Sequence, residues 1–414
     1  MLVLSGADVI LPDRILSPGT LVIDGGRIVE IRSGNSTAAA ASPFAFHGHS
    51  IVPGFIDVHV HGVEGFDTLG AGEPIEEIAR RLPRYGVTGF CPTTVASGPA
   101  ALRHALEQVR KCRASAPANS ARVLPAHLES NFISDAYRGA QPAACLRSPR
   151  NALGSHRGSD PASSPQPAAL GPAGDATFTA SEIIVEIERA APDVGIVTLA
   201  PELDGAIELI EWLVSRGHRA SLGHSGATYD QALAAIAAGA RHATHLFNRM
   251  PPLHHRSPGL AGAILQSDEI AAEIICDGAH VHPALVRMAV AAKRPSRLFA
   301  ITDGTALSAL REGATAQLGD QTIVAGRSTA LLPDGTLAGS VLTMDRAFQT
   351  LVRGVGLTLV DAAVMCATTP ARELGLVGHG VIAADAVADL TVLDADLRVV
   401  QTYVAGRLVY ASTN

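Results

Sequence analysis

The sequence has no excess of basic charge. Its 32 Lys and Arg stand against 39 Asp and Glu, a net charge of −7. That gives no ground for nucleic acid or an anionic membrane as a partner. No apolar run reaches the ~18 residues that a membrane span needs. The opening residues, Met1-Leu2-Val3-Leu4-Ser5-Gly6, lack the basic flank and small-residue cleavage site of a secretory leader. Cysteine is sparse: Cys91, Cys112, Cys145, Cys276 and Cys366 are scattered, and none forms a Cys-x-x-Cys pair. An odd, unpatterned set fits reduced thiols in a cytoplasm rather than a disulfide framework or a thiol site. Lysine is almost missing, with only Lys111 and Lys293. That bias toward arginine carries no functional information.

What the chain does have is apolar mass. It runs to 414 residues, 47% hydrophobic and 17% charged. This is too long for one small domain, and it fits a barrel of about 250 residues with a smaller partner. Both ends read as short alternating strands. Thr20 to Ile23 and Arg27 to Ile31 flank Asp24-Gly25-Gly26, a strong hairpin signal. Ala388 to Asp394 and Val399 to Tyr410 repeat the style. Two strand-rich ends around a different middle imply one β-sandwich domain built from residues 1–52 and 384–414.

The middle alternates strands with helical patterns. Strands are expected before His61, at 87–91, 121–129, 194–199, 219–224, 243–247, 273–277 and 298–303. Leu102, Leu106 and Val109 recur at helical spacing, and Thr228-Tyr229-Asp230-Gln231 is a capping box opening a helix that stops at Gly239. Eight strand–helix repeats make an α/β fold, a TIM-like (β/α)8 barrel over 53–383. An insertion at about 145–178 breaks the rhythm. Its Ser155 to Asp175 stretch is rich in Pro, Ala, Gly and Ser and too poor in large apolar residues to fold alone. A surface insertion and a lid over the active face are both compatible with that composition.

In such barrels chemistry sits at the C-terminal ends of the strands. His59 and His61 stand at i and i+2 after Ile51-Val52-Pro53-Gly54-Phe55-Ile56, a run that reads as strand, so both rings face one side and can converge on an ion. Imidazole suits Zn, Fe or Mn. One His-x-His is weak evidence. Glu129, His224, His245 and Asp303 strengthen it, because they fall at the ends of the inferred strands three, five, six and eight.

These residues, with their neighbours, resemble the amidohydrolase superfamily and, within it, the N-acetylglucosamine-6-phosphate deacetylases. The shared signatures are Pro53-Gly54-Phe55-Ile56-Asp57-Val58-His59-Val60-His61-Gly62, His127-Leu128-Glu129, Leu199-Ala200-Pro201-Glu202 and Gly223-His224-Ser225. Further along come Thr244-His245-Leu246-Phe247-Asn248, Leu253-His254-His255-Arg256, Asp277-Gly278-Ala279-His280, Thr302-Asp303 and Leu337-Ala338-Gly339-Ser340. The resemblance implies hydrolytic removal of an acetyl group from an N-acetylated amino sugar or sugar phosphate. It implies one or two divalent ions per chain, zinc before iron or manganese. Glu129, His224 and His245 would hold the principal ion, with His59 and His61 on a second or shaping that side. Asp303 would be the catalytic base and acid. Ala140, Asn248, Arg249, Leu337, Ala338 and Gly339 would line the substrate, and His280 and Arg256 would bind its phosphate, Arg256 across a homodimer.

The chain departs from the family pattern in four places. Glu129-Ser130-Asn131 replaces Glu-Gly-Pro, and Arg138-Gly139-Ala140-Gln141 replaces Lys-Gly-Ala-His. Asn248-Arg249-Met250 replaces Asn-Ala-Met, and Thr302-Asp303-Gly304-Thr305 replaces Thr-Asp-Ala-Met. Gln141 stands where the family's imidazole would help polarise the scissile carbonyl, and it can offer only a neutral hydrogen bond. Altered substrate specificity is the expectation. The alternatives are another amidohydrolase reaction, cyclic amide hydrolysis or deamination, and a metal-bound, catalytically weak ligand sensor.

Overall fold

A computed structural model describes residues 1–35, 46–154 and 178–413. The Ser155 to Asp175 stretch lies outside the described residues. Both termini enter one seven-stranded sheet, in the order Arg407–Ala411, Val399–Val404, Leu390–Leu393, Ser50–Pro53, Leu2–Ile10, Ile15–Asp24, Arg27–Ser33. The Asp24-Gly25-Gly26 hairpin forms as read, with Asp24 opposite Arg27. Leu4, Leu21, Ile23, Ile51, Leu390 and Val392 are buried in the core of this β-sandwich domain.

The barrel strands are β1 (Phe55–Val60), β2 (Val87–Thr94), β3 (Ala126–Glu129), β4 (Val194–Leu199), β5 (Arg219–Leu222), β6 (His242–Ala243), β7 (Ala271–Ile275) and β8 (Leu298–Ile301). Each pairs with the next in parallel. Their residues are buried almost without exception, as expected of parallel strands covered on both faces. The expected helices form. Leu102, Leu106 and Val109 sit on the buried face of Pro99–Ala114, and Thr228 caps Tyr229–Ala237 through a reciprocal box with Gln231.

Two expectations need correction. The run from Ile51 to Ile56 is two strands in two sheets. Ser50–Pro53 pairs with Leu390–Leu393, whereas Phe55 onward pairs with β2. Pro53 has no N–H to give the ladder, and the Gly54 N–H turns to the Asp389 carbonyl at 2.9 Å. The second correction is an element that the sequence reading lacked. A four-stranded antiparallel sheet, Thr315–Leu318, Gln321–Ala325, Thr329–Leu331 and Leu337–Ser340, follows β8. Its own small core of Leu318, Ile323, Ala330 and Ala338 packs on Val95 and Leu307.

No continuous ladder joins β8 to β1. The seam closes beyond the strands, where the Asp303 N–H donates to the His59 carbonyl at 2.9 Å and the His61 N–H to the Gly304 carbonyl at 2.7 Å. Gly62 follows at once. A Cβ there would lie 2.1 Å from the Phe66 carbonyl oxygen and 2.7 Å from the Ala306 nitrogen. Both are backbone atoms that cannot swing aside. Gly62→Ala is therefore expected to cost at least the roughly 1–3 kcal/mol typical of overpacking. Thermal denaturation reads it as a lowered midpoint; an unchanged midpoint would contradict this packing.

Candidate metal centre and active cavity

The expected residues meet. Glu129 ends β3, and its Oε1 lies 2.8 Å from His224 Nε2 and 2.9 Å from His245 Nε2. The two Nε2 atoms are themselves 3.0 Å apart. His59 is the fifth residue of β1, and His61 follows that strand. Their Nε2 atoms are 3.2 Å apart, and each approaches Asp303 Oδ1, at 3.4 and 3.3 Å. Glu129 joins the two groups, with His61 Nε2 3.3 Å from its Oε2. All six residues are buried. His224, His245 and Asp303 stand just past their strands with φ of 47°, 29° and 48°. This left-handed turn aims each side chain into the barrel mouth.

Imidazole nitrogens do not face one another at 3 Å unless a proton or a cation lies between them. Ligand atoms around a zinc ion at ~2.0–2.1 Å stand about 3 Å apart, the spacing seen here. Glu129, His224 and His245 form one group able to hold an ion, and His59, His61 and Asp303 form another. The electrostatics favour a cation. Burial pushes the Glu129 carboxyl up, but His224 and His59 more than offset it and hold it well below the ordinary range. Burial likewise raises Asp303, and His59 and His61 bring it below its usual value. Burial lowers His61, yet Asp303 and Glu129 lift it to about 9. The carboxylates that hold a proton on His61 this strongly stabilise a divalent ion by the same charges.

The outer contacts fix the rings. His224 Nδ1 donates to the Tyr137 carbonyl at 2.8 Å, which leaves Nε2 as the inward ligand atom. His59 Nδ1 donates to Glu273 Oε2 at 2.8 Å. Glu273 also accepts from His242 Nε2 at 2.8 Å and from the His245 backbone N–H at 3.1 Å. Sequence reasoning missed Glu273 as a site residue. Its one signal is a carboxylate within the otherwise apolar run Ala271-Ala272-Glu273-Ile274-Ile275.

Above the ligands opens a cavity of about 420 Å³. Its wall includes Ala140, Gln141, Asn248, Arg249, His280, Leu337, Ala338 and Gly339, all expected from sequence, with Tyr137, Phe247 and Leu318, which were not. Gln141 is held at both ends: its Oε1 accepts the Ala96 N–H at 2.7 Å and its amide donates to Glu129 Oε2. It orients a ligand carboxylate. Arg249 lies across Gly139, where any Cβ would come within 2.4 Å of Nε, and donates to the Leu337 carbonyl at 3.0 Å. His280 donates to Asp277 Oδ2 at 2.6 Å; burial lowers its pKa, but Asp277 holds it above the usual histidine value. The cavity wall therefore sets the Arg249 guanidinium near an imidazole on which Asp277 favours a proton.

Three other residues lie elsewhere. Arg256 is exposed on the loop after β6, outside this cavity. Thr305 and Asn131, two of the departures from the family pattern, are buried behind the wall. Thr305 bonds the Ser340 carbonyl, and Asn131 bonds the carbonyls of Ser97 and Cys145.

Comparison with known proteins agrees with this geometry. The sequence profile described as the amidohydrolase family matches residues 50–409. An N-acetylglucosamine-6-phosphate deacetylase of Bacillus subtilis (strain 168) is 31% identical over 413 residues, 98% of this chain and 96% of its own length. The Rattus norvegicus protein of that name is 36% identical over 418 residues, covering 96% and 94%. A Mycobacterium smegmatis N-acetyl-D-glucosamine-6-phosphate deacetylase variant, solved in complex with N-acetyl-D-glucosamine-6-phosphate, superposes with a TM-score of 0.84 at 33% identity over 99% of both chains. On profile, sequence and fold together, this chain belongs to the amidohydrolase family.

Proposed function

We propose that the protein hydrolyses the acetamide of an N-acetylated amino sugar phosphate. The observation that carries this is the gathering of Glu129, His224, His245 and Asp303 on the floor of a cavity whose wall carries Arg249 and His280. Glu129, His224 and His245 would hold the principal divalent ion, zinc first, with His59 and His61 beside it. A bound ion supplies Lewis-acid polarisation of a carbonyl and lowers the pKa of water towards ~7. Asp303, ionised and 3.3 Å from His61 Nε2, takes a proton from water as its oxygen attacks the acetyl carbon. The same proton then passes to the sugar nitrogen as the C–N bond breaks, leaving acetate and the free amine. Gln141 steadies Glu129, and Arg249 and His280 offer cationic contacts to the phosphate.

The finer part of the proposal is specificity. Arg249 fills wall space where the family keeps a methyl group, and Gln141 cannot carry the charge of an imidazole. N-acetylglucosamine-6-phosphate is then not the best substrate. The remaining part is assembly. The exposed Arg256 supports a homodimer in which it reaches its partner's cavity.

Asp303→Asn keeps the shape and removes the proton carrier. Turnover should fall at least ~100-fold, while elemental analysis still finds about one equivalent or more of Zn, Fe or Mn per chain. Full activity in metal-free protein, or near-normal turnover in the variant, contradicts the scheme. Acetate release across a panel of N-acetyl sugars tests specificity. For N-acetylglucosamine-6-phosphate, kcat/KM should lie below the usual range of about 10⁴ M⁻¹s⁻¹ and above, and Arg249→Ala with Gln141→His should raise it. A wild-type value within that range, with no better substrate, removes the specificity claim and leaves the deacetylase reading standing. Light scattering at assay concentration should give a dimer; a fully active monomer rules out the shared site.

A further inference from the structure

A second cleft, of about 370 Å³, has Asp277 in its wall. Its chemistry differs from the rest of the surface. One wall is the helical segment from Met344 to Val355, which presents Arg346, Gln349, Thr350 and Arg353 at i, i+3, i+4 and i+7, a single face. The facing wall is Arg327-Ser328, the loop between strands Gln321–Ala325 and Thr329–Leu331. Val341 and Leu342 add an apolar surface. The helix passes from α to π geometry at Thr350, a distortion often found at functional sites.

The charge in this cleft is unbalanced. Three arginines line it, against the one carboxylate of Asp277. Asp277 is already spent: its oxygens accept from the backbone of Ala279 and His280 and from the His280 ring. Among the described residues the Arg327 and Arg346 side chains make no hydrogen bond or salt bridge, although the Asp345 carboxylate attracts Arg346 and accepts its backbone N–H. The neighbouring Asp345 is turned to the Thr343 hydroxyl at 2.5 Å. Arg353 donates to the Ala395 carbonyl at 3.4 Å and meets Asp396, an exposed partner, at 3.3 Å. Three arginines thus line one cleft whose lining holds a single carboxylate, Asp277, in a chain of net charge −7.

We infer that this cleft binds a small phosphorylated metabolite carrying two phosphate groups, held between Arg327 on the loop and Arg346 and Arg353 on the helix. Guanidinium forks match phosphate oxygens in geometry as well as charge. Gln349, Ser328 and Thr350 supply neutral donors, and the volume lies within the range of small-ligand sites, roughly 300–1,000 Å³. The wall residue Asp277 also bonds His280 of the active cavity, so an occupant here would sit one side chain away from the proposed reaction.

The test is calorimetric titration of the full, metal-loaded chain with fructose 1,6-bisphosphate, a bisphosphate that chelates metal weakly. Saturable binding is expected, with unphosphorylated fructose giving none. Arg346→Glu should weaken it by at least about tenfold, the scale of one charge-assisted contact. Arg346→Gln, the gentler change, should weaken it in the same direction with the thermal midpoint kept. Arg249→Ala, which alters only the active cavity, should leave it intact. Absence of saturable heat, equal binding of fructose, wild-type affinity in both Arg346 variants, or loss of binding in Arg249→Ala each overturns the assignment.

Discussion

The seam between the first and eighth strands governs the rest of the molecule. It is made of few bonds. The Asp303 N–H meets the His59 carbonyl, the His61 N–H meets the Gly304 carbonyl, and beneath them Asp57 accepts from the Thr302 hydroxyl at 2.5 Å. These bonds close the barrel and at the same time set the distance from the Asp303 carboxylate to the imidazoles of His59 and His61. Asp57 lies wholly buried, and burial lifts its carboxyl to about 7 against the pull of Thr302. The first and last parts of the barrel are thus held together at the place where the chemistry is held.

A second consequence of the seam is electrostatic crowding. Glu129, Glu273, Asp303 and the histidines between them form one buried network, and such groups are tolerable only while each keeps its partners. Glu273 carries much of this load, since it accepts from one imidazole of the first strand, from His242 and from the His245 backbone. His127 has the opposite character. Burial and the nearby His59 lower it to about 3, and its ring bonds the Val58 carbonyl and the Thr198 hydroxyl. It packs as a neutral core residue although it lies next to the ion-binding groups.

Much of this was legible in the sequence because strand ends recur. His59, Glu129, His224, His245 and Asp303 each end or closely follow a buried strand, and that regularity survives even where the strand is short. β6 spans only His242–Ala243, yet His245 still lands at the mouth. The four-stranded sheet was not legible: its strands are three to five residues long and partly exposed, and they give no sustained alternation. Glu273 was hidden for a different reason. Period and composition report which face is apolar, and say nothing of a buried acid paired through space with His59, 214 positions away. Asn131 and Thr305 show the converse. Proximity in sequence to the site placed them near the cavity, but their hydrogen bonds turn them into its support.

The three corners with positive φ have a bearing on what chemistry this mouth can host. A left-handed turn is ruinous for β-branched side chains and tolerable for few others, with asparagine, aspartate and histidine favoured among non-glycine residues. His224, His245 and Asp303 are drawn from that short list. The backbone therefore screens candidates before any ligand does: residues able to stand at these corners are largely the same ones able to bind an ion or carry a proton. The barrel rim is, in this sense, a steric filter whose output happens to be reactive.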